Sequence, residues 1–157
     1  WIQDIANNSV SVTSFGLATD VPVVADYDGD GRADMAVFRS GEWHLDLSGS
    51  GHTIVNFGIP GDSPLVGDFD GDGRADPAVY RQGVWFVQRS TEGYLEVPFG
   101  LATDLPVPTD YDGDGKTDAA IYREGTWWVL QSSTQSPTVA QFGIGSDKPI
   151  PYREAAN

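Results

Sequence analysis

The chain has 157 residues, a formal net charge of −14, 19 glycines, 10 prolines and no cysteine. The length suits one domain with a core, and the lack of cysteine excludes disulfides, thiolate metal sites and cysteine nucleophiles. The negative charge argues against nucleic acid and anionic membrane surfaces as partners, and no segment approaches the ~20 apolar residues of a membrane helix. We therefore expect no nucleic-acid binding, no membrane insertion, and cations as natural partners.

The sequence repeats with a period of 42 residues. The segment 26–34, Asp-Tyr-Asp-Gly-Asp-Gly-Arg-Ala-Asp, recurs in nearly the same form at 68–76 and 110–118. Tryptophans recur at the same 42-residue interval, at Trp1, Trp43, Trp85 and Trp127. A fixed period of 20 to 50 residues indicates a solenoid, a propeller or an array.

In chain order, residues 1–21 resemble the last two strands of a unit, and three complete units follow at 22–63, 64–105 and 106–148. Each unit predicts four short strands, which in the second unit fall at 64–67, 77–81, 84–89 and 94–99. No window shows sustained helical periodicity, and four strands in about 40 to 45 residues are typical of a propeller blade. We therefore predict an all-β fold, a β-propeller of 42-residue four-stranded repeats.

The tail 149–157 resembles the first two strands of a unit from which the acidic loop has been removed. Together with 1–21 it predicts a composite fourth unit within a single repeat domain, 1–157. The two halves can meet within one chain or between chains, and the second case gives a homo-oligomer joined through terminal strands, as a larger ring or a filament.

The acidic segments predict metal sites. In the pattern D-x-D-G-D-G-x-x-D, positions 1, 3, 5 and 9 supply carboxylates, and position 7 can add a backbone carbonyl. Such oxygen-only ligands suit Ca²⁺, and glycine at position 6 permits the sharp turn. The predicted ligands are Asp26, Asp28, Asp30, Arg32 and Asp34; Asp68, Asp70, Asp72, Arg74 and Asp76; and Asp110, Asp112, Asp114, Lys116 and Asp118.

An EF-hand is excluded, because position 12 is Val37, Val79 or Ile121 instead of glutamate and β-forming residues surround it. The tail lacks an acidic loop, so three Ca²⁺ per chain are expected. Three divalent ions add six positive charges to a formal charge of −14, which leaves −8. We interpret the ions as mainly structural, since each would neutralise four carboxylates that repel one another.

The combination of Phe-Gly, a proline before the first strand, the acidic loop and then Ala-Val-Tyr/Phe-Arg resembles FG-GAP or VCBS-type repeats. The resemblance covers nearly the whole chain. It implies a calcium-binding β-propeller of the kind seen in integrin α subunits and some fungal lectins, with roles in cell adhesion or carbohydrate binding. Propellers of this family commonly have seven blades, whereas this chain supplies four units.

Other repeated residues have structural interpretations. One tryptophan per unit is expected to fill the core, although a ring of sugar-stacking platforms is the alternative. An arginine and an aspartate recur in all four units, and we predict that they form ion pairs: Arg39, Arg81, Arg123 and Arg153 with Asp20, Asp62, Asp104 and Asp147. His44 and Trp128 depart from the repeat and are candidates for a unit-specific role.

No catalytic residues are predicted, because the two histidines lie outside the repeat and no nucleophile motif occurs. We therefore expect a protein that is not an enzyme. The expected function is a secreted or cell-surface, calcium-stabilised binding module with a carbohydrate or protein ligand. The alternative is a structural protomer that assembles through blade edges.

Overall fold

The computed structural model describes residues 2–4 and 9–150, and within those ranges it contains β-strands and no helix. Two short strands near the N-terminus form an antiparallel hairpin, β1 (Ile2–Asp4) and β2 (Ser9–Ser11). Among these described residues, no helix has the length and apolar character needed to cross a membrane.

Twelve further strands form three antiparallel sheets of four, each built from consecutive strands. The first sheet contains β3 (Val21–Pro22), β4 (Met35–Arg39), β5 (Glu42–Leu47) and β6 (Gly51–Asn56). The second contains β7 (Ser63–Gly67), β8 (Asp76–Arg81), β9 (Val84–Arg89) and β10 (Gly93–Pro98). The third contains β11 (Leu105–Pro106), β12 (Ala119–Arg123), β13 (Thr126–Leu130) and β14 (Pro137–Gln141).

These strands confirm the predicted all-β, four-stranded units, and in the second unit the predicted bounds differ from the observed ones by one residue at most. The predicted fourth unit has no four-stranded sheet among the described residues. Its N-terminal half corresponds to the β1–β2 hairpin, and most of its C-terminal half, residues 151–157, lies outside the described residues.

The core lies between successive sheets. Trp43 and Phe38 of the first sheet pack with Val79 and Phe86 of the second. Trp85 of the second sheet packs in the same way with residues of the third, including Ile121 and Leu130. Trp43 and Trp85 are fully buried, which confirms core packing for these two members of the tryptophan repeat.

Among the described residues, no further sheet packs on the equivalent face of the third sheet. Trp127 is only partly buried there, although it keeps the same contacts within its sheet as Trp85. Tyr111 is 41% exposed, whereas its counterparts Tyr27 and Phe69 are buried. Phe142, which follows β14, is 78% exposed. We call the surface formed by Tyr111, Trp127 and Phe142 the open face.

Candidate metal centres

Each acidic segment forms the loop between the first and second strands of its sheet. The first loop is residues 26–34, the middle loop 68–76 and the third loop 110–118. In the middle loop, the strands on either side pair at Gly67 and Asp76, and the equivalent bridges join Ala25 to Asp34 and Thr109 to Asp118. The same part of the sequence repeat is therefore placed at the same point of three sheets.

Three carboxylates converge in every loop. Aspartates at positions 1, 3 and 9 each offer an oxygen, and these oxygens lie within 4.8 Å of one another. The groups are Asp26, Asp28 and Asp34; Asp68, Asp70 and Asp76; and Asp110, Asp112 and Asp118. Three acidic groups that could hold a metal ion are thus present where the sequence predicts three sites.

The first aspartate of each loop fixes the turn. Asp68 accepts hydrogen bonds from Gly71 N–H at 2.6 Å and from Gly73 N–H at 2.8 Å. Both glycines have positive φ, 78° and 85°, a left-handed conformation that glycine adopts without strain. The glycines at positions 4 and 6 therefore allow the chain to fold back so that the later aspartates approach the first.

The ninth position carries a buried aspartate that ties the loop to the turn between the third and fourth strands. Asp76 is 0% exposed and accepts from Phe69 N–H and Ser90 N–H, both at 2.8 Å. Asp34 and Asp118 make the equivalent bonds. Burial, together with the charges of Asp70 and Asp68, raises the pKa of Asp76 to about 6, although its two backbone hydrogen bonds act in the opposite direction.

The fifth position lies outside these groups. Asp72 accepts from the Ser90 hydroxyl at 2.7 Å and from Arg74 N–H at 2.9 Å. Asp30 and Asp114 make the same contacts with Ser48 and Ser132. The structure therefore brings together three of the four predicted carboxylates in each loop, while the ligand roles of position 5 and of the position-7 carbonyls stay predictions.

Sequence reasoning missed the hairpin-turn residues that support the loops. Ser48, Ser90 and Ser132 follow the 42-residue period, so the repeat did contain a signal for them. The next residue varies: Thr91 donates its N–H and its hydroxyl to Asp70, whereas Gly49 donates only its N–H to Asp28.

The donor chemistry suits a hard cation. All nine converging side chains are carboxylates, which Ca²⁺ and Mg²⁺ prefer and softer metals do not. In the middle loop, Asp70 is 7% exposed, and its buried Oδ1 has no hydrogen-bond donor. A buried oxygen without a donor is costly, and a metal ion would satisfy it.

The predicted arginine–aspartate ion pairs are confirmed in three units. Arg39 donates to both oxygens of Asp20 at 2.7 and 2.8 Å, and Arg81–Asp62 and Arg123–Asp104 repeat this two-pronged geometry. Each aspartate also accepts from a backbone N–H of the turn before its sheet. Asp147 makes the equivalent turn bond, but its predicted partner Arg153 lies outside the described residues.

The residues that depart from the repeat lie near the arginines. His44 lies on the outer face of the first sheet, 3.2 Å from Glu42 Oε2, and its ring stacks near that of His52 with centroids 5.9 Å apart. The guanidinium carbon of Arg123 lies over the Trp128 ring, 5.8 Å from the ring centroid. In the described chain, His44 belongs to no group of converging metal ligands.

Comparisons of the chain with protein-family models, with curated proteins and with solved structures found no match.

Proposed function

We propose that this chain is a calcium-stabilised β-propeller of the FG-GAP or VCBS type that acts outside the cytoplasm as a binding module for carbohydrate or protein. The observation that carries the metal part is the convergence of three carboxylates at the same point of three successive sheets. A repeated structural unit that keeps the same charged, mutually repelling group each time points to a ligand that neutralises it.

Calcium fits these groups for two reasons. The donors are oxygens only, and Ca²⁺ reaches six to eight ligands in flexible geometries by adding further carboxylate, carbonyl and water oxygens. The ion would fasten the loop to the sheet, because Asp76 joins the loop to the Ser90 turn. Extracellular calcium modules bind with Kd near ~10⁻⁴ to 10⁻³ M and fill at extracellular calcium levels, and sites of that class would support a secreted or cell-surface location.

Propeller architecture is proposed from the way the sheets stack. The second and third sheets each cover the tryptophan face of the sheet before, and the open face is the same surface of the third sheet without a cover among the described residues. A further unit packed on the open face would continue the series toward a ring.

A ligand cleft is proposed between the second and third sheets. A cavity of about 300 Å³ is lined by apolar residues that include Leu95, Val97 and Leu130, and by the polar residues Arg89, Glu92, Lys116 and Gln135. An apolar lining with a few polar groups is the usual composition of a small-ligand site. A glycan array probed in the presence of Ca²⁺ tests the carbohydrate class: Arg89→Ala should abolish binding, and Lys148→Ala, an exposed basic residue outside the cleft and the loops, should retain it.

Thermal unfolding tests the metal part. A cation bound only by the folded chain adds about 2.7 kcal/mol per site at 100-fold excess over Kd. EDTA should therefore lower the melting temperature and added Ca²⁺ should restore it. Asp76→Asn should reduce this response, whereas Asp46→Asn, the same change on a strand outside the loops, should preserve it. Superimposable transitions with Ca²⁺ and with EDTA would contradict the proposal.

The open face favours self-assembly as a second candidate function. Its counterparts in the first two sheets are buried by a neighbouring sheet of this same chain, so a unit from a second copy has suitable chemistry to cover it. Sedimentation velocity should show a dimer or larger species that Phe142→Asp dissociates and that Ile59→Asp, another exposed turn residue, leaves intact. A wild-type chain that is monomeric at every concentration would contradict this candidate.

A further inference from the structure

We propose that the three loops are a coupled array, in which occupation of the middle loop by Ca²⁺ raises the affinity of the loops on either side. This inference rests on the proposed calcium binding.

Backbone hydrogen bonds join consecutive loops directly. Ala75 N–H donates to the carbonyl of Asp26 at 2.7 Å, and Thr117 N–H donates to the carbonyl of Asp68 at 2.6 Å. Each acceptor belongs to the first aspartate of one loop, and each donor immediately precedes the buried ninth aspartate of the next. The link therefore connects a candidate ligand of one loop to the backbone beside a candidate ligand of the next.

Side chains reinforce the same contacts. A methyl group added at Gly29 would lie 3.1 Å from Arg74 Cγ, and one added at Gly71 would lie 3.2 Å from Lys116 Cγ. The basic residue of each following loop thus covers the turn of the loop before it. At Gly113, the equivalent position of the third loop, nothing lies within 4 Å. Only the middle loop has a neighbouring loop on both sides.

The middle loop also gains the most from a cation. Asp72 N–H donates to Asp68 there, while Asp70 Oδ1 is buried without a donor. In the flanking loops, Asp28 Oδ1 and Asp112 Oδ1 each accept from the amide two residues later. A buried carboxylate oxygen without a partner disfavours the empty site, so binding removes a cost that the flanking loops do not carry.

The sites are coupled because one bound ion orders parts of neighbouring loops. An ion that fixes the middle loop also fixes the Asp68 carbonyl and the Ala75 amide, through which the third and first loops are held. A later ion then binds a loop whose conformational entropy has already been reduced. Repulsion between neighbouring ions acts in the opposite direction, and water and salt screen it because the tips of the loops are exposed.

Calorimetric titration of Ca²⁺ into the full chain and three matched variants tests the coupling. Asp28→Asn, Asp70→Asn and Asp112→Asn each remove one charge at position 3 of one loop. We expect Asp70→Asn to weaken the two remaining sites by about 5-fold or more, the low end of typical coupling, because it removes the ion from the one loop that both links join. Each flanking variant removes the ion from a loop that only one link joins, and it should weaken the remaining sites less.

An Asp70→Asn chain whose remaining sites keep wild-type affinity would overturn the coupling and leave calcium binding intact. A wild-type chain that binds no Ca²⁺ would overturn both proposals. If Asp70→Asn does not fold, NMR titration of the wild-type chain decides the question. The Gly31, Gly73 and Gly115 amides should then shift together in one transition with a Hill coefficient above 1, and independent transitions with Hill coefficients of 1 would refute the inference.

Discussion

Truncation of the buried tryptophan in the second sheet gives a quantitative test of how the sheets hold together. Trp85 is 0% exposed, donates to the Phe99 carbonyl at 2.8 Å and packs edge-on to Tyr80. Trp85→Ala should cost about 3–5 kcal/mol, the usual range for a buried aromatic side chain. For a domain of this size that corresponds to roughly 6 to 20 °C in melting temperature.

Trp127→Ala is the matched control. Trp127 makes the same hydrogen bond, to the Phe142 carbonyl at 2.8 Å, and the same ring contact, with Tyr122. It differs in lying on the open face. A tryptophan buries about 150–250 Å². On the open face, on the order of a quarter of that area stays exposed to solvent and contributes no burial to stability. At ~25 cal/mol per Å², Trp127→Ala should therefore be less costly than Trp85→Ala by about 1–2 kcal/mol.

Urea unfolding followed by circular dichroism, with Ca²⁺ present and at a concentration where the chain is monomeric, measures both losses. The difference between them reports the burial that the following sheet supplies. Equal losses for the two variants in the monomer would refute the reasoning, because they would mean that the third sheet is as well covered as the second.

Three further predictions concern other contacts. Gly67→Ala should lower the free energy of unfolding by about 1–3 kcal/mol through overpacking, because the new methyl group would lie 2.5 Å from Thr117 Oγ1. In the double variant Gly67→Ala/Thr117→Ala, the free energy of unfolding should recover. The double variant recreates the alanine pair at the equivalent positions 25 and 75; no recovery would contradict this account of the contact. The hydrogen bond from Arg39 lowers the pKa of Asp20 from 3.8 to about 2. The ionised Asp20 therefore contributes stability above pH 4, and this contribution is lost as the pH falls toward 2. Stability measured across that window should fall less steeply in Asp20→Asn than in the wild type, and parallel curves would contradict the assignment. Mg²⁺ should protect less than Ca²⁺ against heat unfolding, since it demands stricter octahedral geometry, and equal protection would argue against a calcium-specific site.

Much of the fold could be predicted because the repeat is strict. Alternating apolar residues specify which face of each strand is buried, so the bounds of β7 to β10 follow closely from one copy of the unit. The ion pair between Arg81 and Asp62 was also predictable, since both residues recur at the same spacing in every unit.

The rest depends on contacts that a single unit does not contain. The separation of Asp72 from the carboxylate group arises because a hydroxyl from a distant hairpin turn, Ser90, binds it. The middle and first loops differ in sequence only at position 2, yet only Asp70 has an oxygen without a donor. The links between loops and the open face are likewise properties of stacked sheets, and the loop pattern alone does not predict them.

The count of calcium ions on the folded chain tests the central claim most directly. Equilibrium dialysis of metal-free chain against a range of Ca²⁺ concentrations, with elemental analysis of both sides, gives the number bound at saturation. The account predicts three ions per chain, two after Asp70→Asn, and three after the control change Asp46→Asn. A wild-type chain that retains none at millimolar Ca²⁺ would contradict it.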